Sequence, residues 1–328
     1  MKEKKQTSMR DISKITGVSI STISRYINSS GYVKPSTGEK IEAAINKTNY
    51  VPNRNVKSVF GYKSHNIGLI IPAFTNPFFS EFSTYIGNYI QEAGYGCILC
   101  FTGDDKNTEI RNWELLKGYR VDGVISARSL YPDVWSKLGI PTVSFESNHN
   151  EQEVNICVDN YNGGSLAFNY LNKIGSKRFV HVRGPESFKA TNERFNGFYD
   201  SAKAIDKNIE IIKSEKDYSL GTDISDNIKA FKFKKGDGIF VFNDINAINI
   251  ISYLIDLGFR VPEDISVIGF DNSYISELSI PKLTTIEQPV KEIALKCFSN
   301  LLELMEHKNT IKEEYILPVK LIIRDSTK

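Results

Sequence analysis

Tryptophan occurs twice, methionine three times, and cysteine and histidine only four times each in 328 residues. Four cysteines (97, 100, 157 and 297) at irregular spacing make no disulfide framework. Cys97 and Cys100 spell C-x-x-C, but within GYGCILCF, which reads as a strand. Residues three apart on a strand point to opposite faces, so the pair suits neither a metal nor a redox role. The histidines (65, 149, 181 and 307) are scattered and have no ligand-spaced partner. Neither a metal nor a cofactor is expected. Phosphate-binding and hydrolase fingerprints are missing too: there is no G-x-G-x-x-G after the first strand, no G-x-x-x-x-G-K-[ST], no G-x-S-x-G and no H-E-x-x-H. Gly163-Gly164 opens a helix after Asp159-Asn160, too little for a nucleotide site. No catalytic residue can be nominated, and an enzyme is not the expected reading. No apolar run reaches the length of a membrane span, and the lysine-rich start leads into no apolar segment. A cytoplasmic protein is expected.

The charge is unevenly placed. Residues 1–63 hold twelve Lys/Arg against four Asp/Glu, whereas the rest holds 29 against 35. A small basic head on a mildly acidic body is the electrostatic footprint of a nucleic-acid-binding module joined to a regulatory domain.

The head reads as three short helices. Ser8-Met-Arg-Asp11 has the S-x-x-D form of a helix start, followed by Ile12 and Ile15 at helical spacing. Gly17 breaks this helix with a residue able to take positive φ. Ser19 is a good N-cap for a second helix, in which Ile20, Ile23 and Ile27 share one face and Ser21, Arg25 and Asn28 another. Ser36-Thr-Gly-Glu39 reads as a capping box opening a third helix, with Ile41, Ala44 and Ile45 inward. Two helices joined by a glycine turn and closed by a third make a helix-turn-helix unit.

The second helix explains its own composition. Crowded hydroxyls let a helix backbone approach DNA and bond phosphates, and an arginine can reach guanine O6 and N7 together. Arg25 is the candidate base reader, with Ser21 near the helix N-terminus. Ile20 is either a base contact or core, because periodicity puts it near the apolar face. Thr22, Ser24, Asn28 and Tyr32 would position the DNA backbone.

With these residues the chain resembles the lactose-repressor (LacI/GalR) family of bacterial transcription regulators. MRDISKITGVSISTISRYIN, TGEKIEAAI and NYVPNRN look like its DNA-binding head. IGLIIPAFTNPFF, YRVDGVIS, GIPTVSFE, VDNYNGG, ERFNGF, FVFND, VPEDISVIGFDN, KLTTIEQP and RDST continue the match in order over the whole chain. The resemblance implies a head over 1–52, a hinge helix and linker over 53–62, and an effector-binding and dimerisation core over 63–328. It gives Asn53 and Arg54 to the DNA interface. The hinge would order only when two copies meet over the minor groove, and Val59 stands where relatives carry a leucine wedge, with Phe60 beside it. Gly38 replaces a basic residue common in the family.

From residue 66 short β-rich runs alternate with helical patterns, which argues for parallel sheets covered by helices. The fold class is therefore α/β: an all-α head plus a core of two doubly wound lobes, periplasmic-binding-protein-like by resemblance. One lobe is expected over about 63–160 and 289–320, the other over about 161–288. Open sheets of this kind bind ligands outside the carboxyl ends of their strands. Residues just past those ends are Asn76, Phe78, Phe79, Glu146, Arg194, Asn243, Asp244, Asp271 and Gln288. Carboxylates, amides and an arginine beside aromatic faces suit a polyhydroxylated sugar or sugar phosphate. Asp244 and Asp271 could instead be helix caps, and Phe78 and Phe79 lobe core. The resemblance puts the strongest ligand contacts at Arg194, Asn243 and Asp271, with Glu146 in place of a common aspartate.

The function expected is a repressor of carbohydrate genes, the alternative being a regulator that uses a non-sugar effector or a protein corepressor. A homodimer would read a near-palindromic DNA operator, and its affinity would be switched by the effector between the lobes. A sugar-transport binding protein would share the core but would need a signal peptide and no basic head. Without an appended heptad helix, no tetramer is expected.

Overall fold

In a computed structural model, the structure describes residues 7–27, 30–50, 63–103, 105–129, 131, 139–147, 154–214, 225–306 and 314–328. The chain divides into two compact units, 1–64 and 65–328.

The first unit holds α1 (Met9–Thr16), α2 (Ile20–Ile27) and α3 (Pro35–Thr48). The first start signal forms as read: the Ser8 side chain accepts from Asp11 N while Asp11 accepts from Ser8 N. Gly17 then ends α1 at φ 68°. Ser19 Oγ accepts from Thr22 N at 3.2 Å and lies 2.9 Å from both Ser21 Oγ and Thr22 Oγ1, so it caps α2. Ile12, Ile23, Ile41, Ala44 and Tyr50 form the buried core. The start of α3 differs from the capping box expected at Ser36. The helix begins at Pro35, after Lys34, two residues before the start that a Ser36 cap would give, and no side chain caps it. Proline at the first helical position has its φ preset and lacks the N–H that a cap would satisfy. The N–H groups of Thr37 and Gly38 instead donate to Lys34 O.

Gly38 is buried against the Tyr26 ring, where a Cβ would stand 2.8 Å from a ring carbon. The Tyr26 hydroxyl donates across to Glu42 at 3.2 Å. An aromatic residue on α2 therefore fills the space that a side chain at 38 would occupy.

The second unit contains two six-stranded sheets. The first runs in the order β11-β5-β4-β3-β1-β2, all parallel: β1 (Asn66–Ile71), β2 (Gly96–Phe101), β3 (Gly123–Ala127), β4 (Thr142–Phe145), β5 (Val154–Val158) and β11 (Glu314–Leu317). The second runs β12-β10-β9-β8-β6-β7: β6 (Arg178–Arg183), β7 (Ile209–Lys213), β8 (Asp237–Val241), β9 (Ser266–Asp271), β10 (Thr284–Glu287) and β12 (Lys320–Ile322). Only β12 is antiparallel there, against β10. Central strands such as GVISA, VNICV and DGIFV are buried at every position, as strands covered on both faces must be. Cys97 is exposed and Cys100 buried, as a strand in this register demands. Among the described residues no helix is long and apolar enough to cross a membrane.

Both sheets repeat one order around their first strand, β2-β1-β3-β4-β5 and β7-β6-β8-β9-β10. Such a sheet has its switch point beside that first strand, where two connections leave in opposite directions and open a crevice. The chain crosses between the sheets three times, at 159, at 288–289 and at 318–319.

Candidate functional sites

Two crevices facing each other make one cleft in the second unit, with about 430 Å³ of empty space including its mouth. The first lobe contributes Asn76, Phe78 and Phe79 from the start of α4 (Pro77–Glu92), Arg128 past β3, and Phe145 and Glu146 past β4. The second contributes Phe188, Ala190, Thr191 and Arg194 from the start of α7 (Lys189–Lys203), Phe242 and Asn243 past β8, and Asp271 past β9; Gln288 sits at a crossing.

The backbone is bent to present these groups. Arg128 (φ 61°), Glu146 (φ 49°) and Asp271 (φ 126°) all lie at positive φ where their strands end. Conformations this unfavourable for L side chains cluster at binding sites.

A polar relay joins the lobes. Glu146 Oε1 accepts from Val158 N at 3.0 Å and from Asn160 Nδ2 at 2.8 Å. Asn160 Oδ1 accepts from Arg194 Nε at 2.8 Å, and Arg194 Nη1 donates to Phe242 O at 2.6 Å. The Arg194 guanidinium also lies 3.5 Å from the Phe270 ring centroid. Arg194 is held from behind as well. In α6 (Asn160–Lys173), a Cβ on Gly164 would meet the Arg194 carbonyl oxygen at 2.0 Å, and one on Gly197 would meet the Tyr161 oxygen at 1.8 Å. These glycines let α6 and α7 cross backbone to backbone; Gly164 serves packing.

Asp271 Oδ1 accepts from Gln288 Nε2 at 2.7 Å, while Asp271 Oδ2 and Gln288 Oε1 are buried with no hydrogen-bond partner among the described residues. Burial pushes the Asp271 carboxyl up to about 7, although nearby Arg194 and the Gln288 bond favour its charge. Burial likewise raises Glu146 against the bond from Val158 N and the attraction of Arg194. Asp244 departs from its expected place: it does not line the cleft. Its oxygens accept from Ser273 N at 2.8 Å, Ser273 Oγ at 3.0 Å and Thr285 Oγ1 at 2.5 Å, so it ties β10 and the loop after β9 to the start of α9 (Asp244–Asp256). Phe78 and Phe79 serve as both lining and core: Phe78 stacks on Phe145 with centroids 5.7 Å apart.

Sequence reasoning missed Arg128, Phe145, Phe188, Ala190, Thr191 and Phe242. Arg128 packs 3.6 Å over Phe188, cation against ring, across the cleft. The strand-end rule that found Glu146 and Asp271 would also have found Arg128. Elsewhere the lobes meet through Tyr274 N donating to Glu81 at 2.8 Å and through Lys189 and Glu314 at 3.2 Å. Among the described residues no group of His, Cys, Asp and Glu could hold a metal ion.

In the first unit, Ile20 is 44% exposed and Tyr32 82%, which places Ile20 on the surface. Ser21 and Arg25 are also exposed, and Thr22 and Ser24 half-buried. Asn28, Asn53, Arg54, Val59 and Phe60 lie outside the described residues.

The head and the core each match a known family profile. Residues 8–53 match that of bacterial regulatory proteins, lacI family, and residues 168–327 match the periplasmic binding protein-like domain. The chain is 30% identical over 326 residues to the ribose operon repressor of Halalkalibacterium halodurans, covering 98% of this chain and 97% of that one. This chain belongs to the LacI family. It is also 31% identical over 329 residues to the HTH-type transcriptional repressor PurR of Vibrio vulnificus, with 98% of each chain covered. Among solved structures, a periplasmic binding protein/LacI transcriptional regulator from Alkaliphilus metalliredigens, complexed with D-xylulofuranose, superposes with a TM-score of 0.74. It is 38% identical, covering 80% of this chain and 99% of that one. As a LacI-family member, the chain is a DNA-binding repressor with a small-molecule effector.

Proposed function

We propose that the effector is an unphosphorylated monosaccharide of about pentose size, held between the lobes, and that its binding shifts operator affinity. One observation carries this reading: the cleft offers paired acceptors and donors beside aromatic rings, among them a buried carboxylate oxygen that would repel a phosphate. Asp271 Oδ2 and Gln288 Oε1 accept, Arg194 and Asn243 add donors, and Phe78, Phe79 and Phe145 supply apolar faces. Two of the helix N-termini at the cleft, those of α4 and α9, are closed by cleft side chains. Asn76 Oδ1 accepts from Phe78 N at 3.0 Å, and Asn243 Oδ1 from Asn246 N at 3.1 Å. The ribose and D-xylulofuranose in the names of two relatives support the size class.

Arg25 and Ser21 are the proposed base readers, with Ile20, Thr22, Ser24 and Tyr32 flanking them. A cytoplasmic homodimer would set two such heads on the half-sites of a near-palindromic operator. The effector can act only through the difference between its affinities for the two lobe arrangements.

The test is calorimetric titration of the full-length protein with D-ribose, D-xylulose, sucrose, ribose 5-phosphate and hypoxanthine, repeated with the operator present. The expected result is that one free pentose binds and changes operator affinity. Binding of ribose 5-phosphate or hypoxanthine in place of the free sugars would refute the reading.

A further inference from the structure

The side chain nominated as base reader lies on a glycine. Arg25 lies in the last turn of α2, exposed to solvent, and among the described residues its guanidinium makes no hydrogen bond and no ion pair. Ser30 N donates to Arg25 O at 3.2 Å, which folds the chain back against the end of α2. The next residue, Gly31, then meets the arginine stem. A methyl group on Gly31 would stand 3.0 Å from Arg25 Cδ, 3.4 Å from Cγ and 3.5 Å from Nε. Three consecutive atoms of the stem thus cross the bare Cα. Nor does the backbone demand glycine there, since Gly31 is not at positive φ. The requirement is for space alone.

Space matters here because of what arginine must do. A bidentate contact to a guanine edge needs the planar fork at one height and one tilt. A stem confined before binding also loses less rotamer freedom on docking. The tip of a long side chain yields readily, so a substitution at 31 would leave the fold intact and turn the fork away.

We propose that Gly31 is a positioning residue for operator reading: the seat left by its missing side chain aims the Arg25 guanidinium at its base pair. This rests on the reading of Arg25 as a base reader.

The test uses the full-length protein and a duplex selected by the wild type from a random-sequence pool, with each half-site position then substituted in turn. Arg25→Ala should remove discrimination at one symmetric base pair, about tenfold or more. Gly31→Ala should lose severalfold at that same base pair, and Gly31→Leu as much as Arg25→Ala. Affinity for random DNA, the circular dichroism spectrum and the melting temperature should stay unchanged. Adding Gly31→Ala to Arg25→Ala should cost nothing further. Retained discrimination in Gly31→Leu, an equal loss at every position, or additive losses in the double variant would each overturn the proposal. If Gly31→Leu does not fold, Gly31→Ala and the double variant decide. If Arg25→Ala flattens no base pair, the assignment of Arg25 fails first and the role of Gly31 with it, a pattern distinct from the others.

Discussion

Lowering the pH from 8 to 6 should weaken effector binding about tenfold, and Asp271 is the reason. Its Oδ2 is buried and unbonded, so a ligand hydroxyl that donates to it needs the ionised carboxylate. Burial holds this carboxyl up at about 7 before a ligand binds. At pH 8 roughly nine molecules in ten are ready to bind, and at pH 6 roughly one in eleven, so apparent affinity falls by that ratio. The sign follows from linkage. An acid whose folded pKa is raised favours the empty protein at low pH, and that contribution is lost as pH rises through about 7. Ligand binding, which prefers the ionised form, gains over the same interval and releases a proton. The other charged groups facing the ligand are Arg128, Arg194 and Glu146. Glu146 already accepts two hydrogen bonds, so Glu146→Gln should leave the pH step in place, while Asp271→Asn should abolish it together with most of the affinity. Calorimetry in phosphate and in Tris would measure both affinity and proton release. A flat affinity from pH 6 to 8 with no proton exchanged would refute the argument.

Three other perturbations test the frame around the sites. Gly197→Ala forces a methyl to 1.8 Å from the Tyr161 carbonyl oxygen, so α6 and α7 must separate. Overpacking of this kind costs about 1–3 kcal/mol or more, and effector affinity should fall with the melting temperature because Arg194 moves. Gly38→Arg should destabilise the head and weaken operator binding unless Tyr26 is reduced to Val in the same chain, which pulse proteolysis and a gel-shift titration would show. Buried His181 is pushed down to about 3 by desolvation, with its ring stacked on Phe198 and Phe240. Unfolding lets it take a proton, so its contribution to stability is complete above about 6.5 and is lost towards pH 3, by a few kcal/mol. His181→Phe should flatten that part of the acid-denaturation curve.

Much of this was legible in the sequence because each level agreed with the next. Strand runs of β-branched residues and intervening helical periodicities are strong local signals, and the parallel sheets they imply leave only the strand ends free to bind. What escaped had physical reasons. At residues 34–39 two start signals compete, and the helix opens at Pro35, whose preset φ and missing N–H suit the first helical position. Asn243 and Asp244 are neighbours at one helix start, yet only Asn243 faces the cleft; adjacent residues of a helix point apart, and sequence does not say which looks inward. Phe188 belongs to no periodic pattern and reaches the cleft as the residue just before α7. Gly163-Gly164 carried a signal whose meaning depended on Gly197, 33 residues away.

The three crossings between the lobes run side by side. Asp159 N donates to Leu317 O at 2.9 Å, and Glu287 pairs with Lys320. A door hung on three aligned knuckles swings but neither slides nor twists. Connections tied in this way favour a swing of the lobes about the line of these residues, and the cleft, the Glu81–Tyr274 clasp and the Lys189–Glu314 pair would open or close with it. A ligand that holds the cleft at one angle would hold those contacts with it.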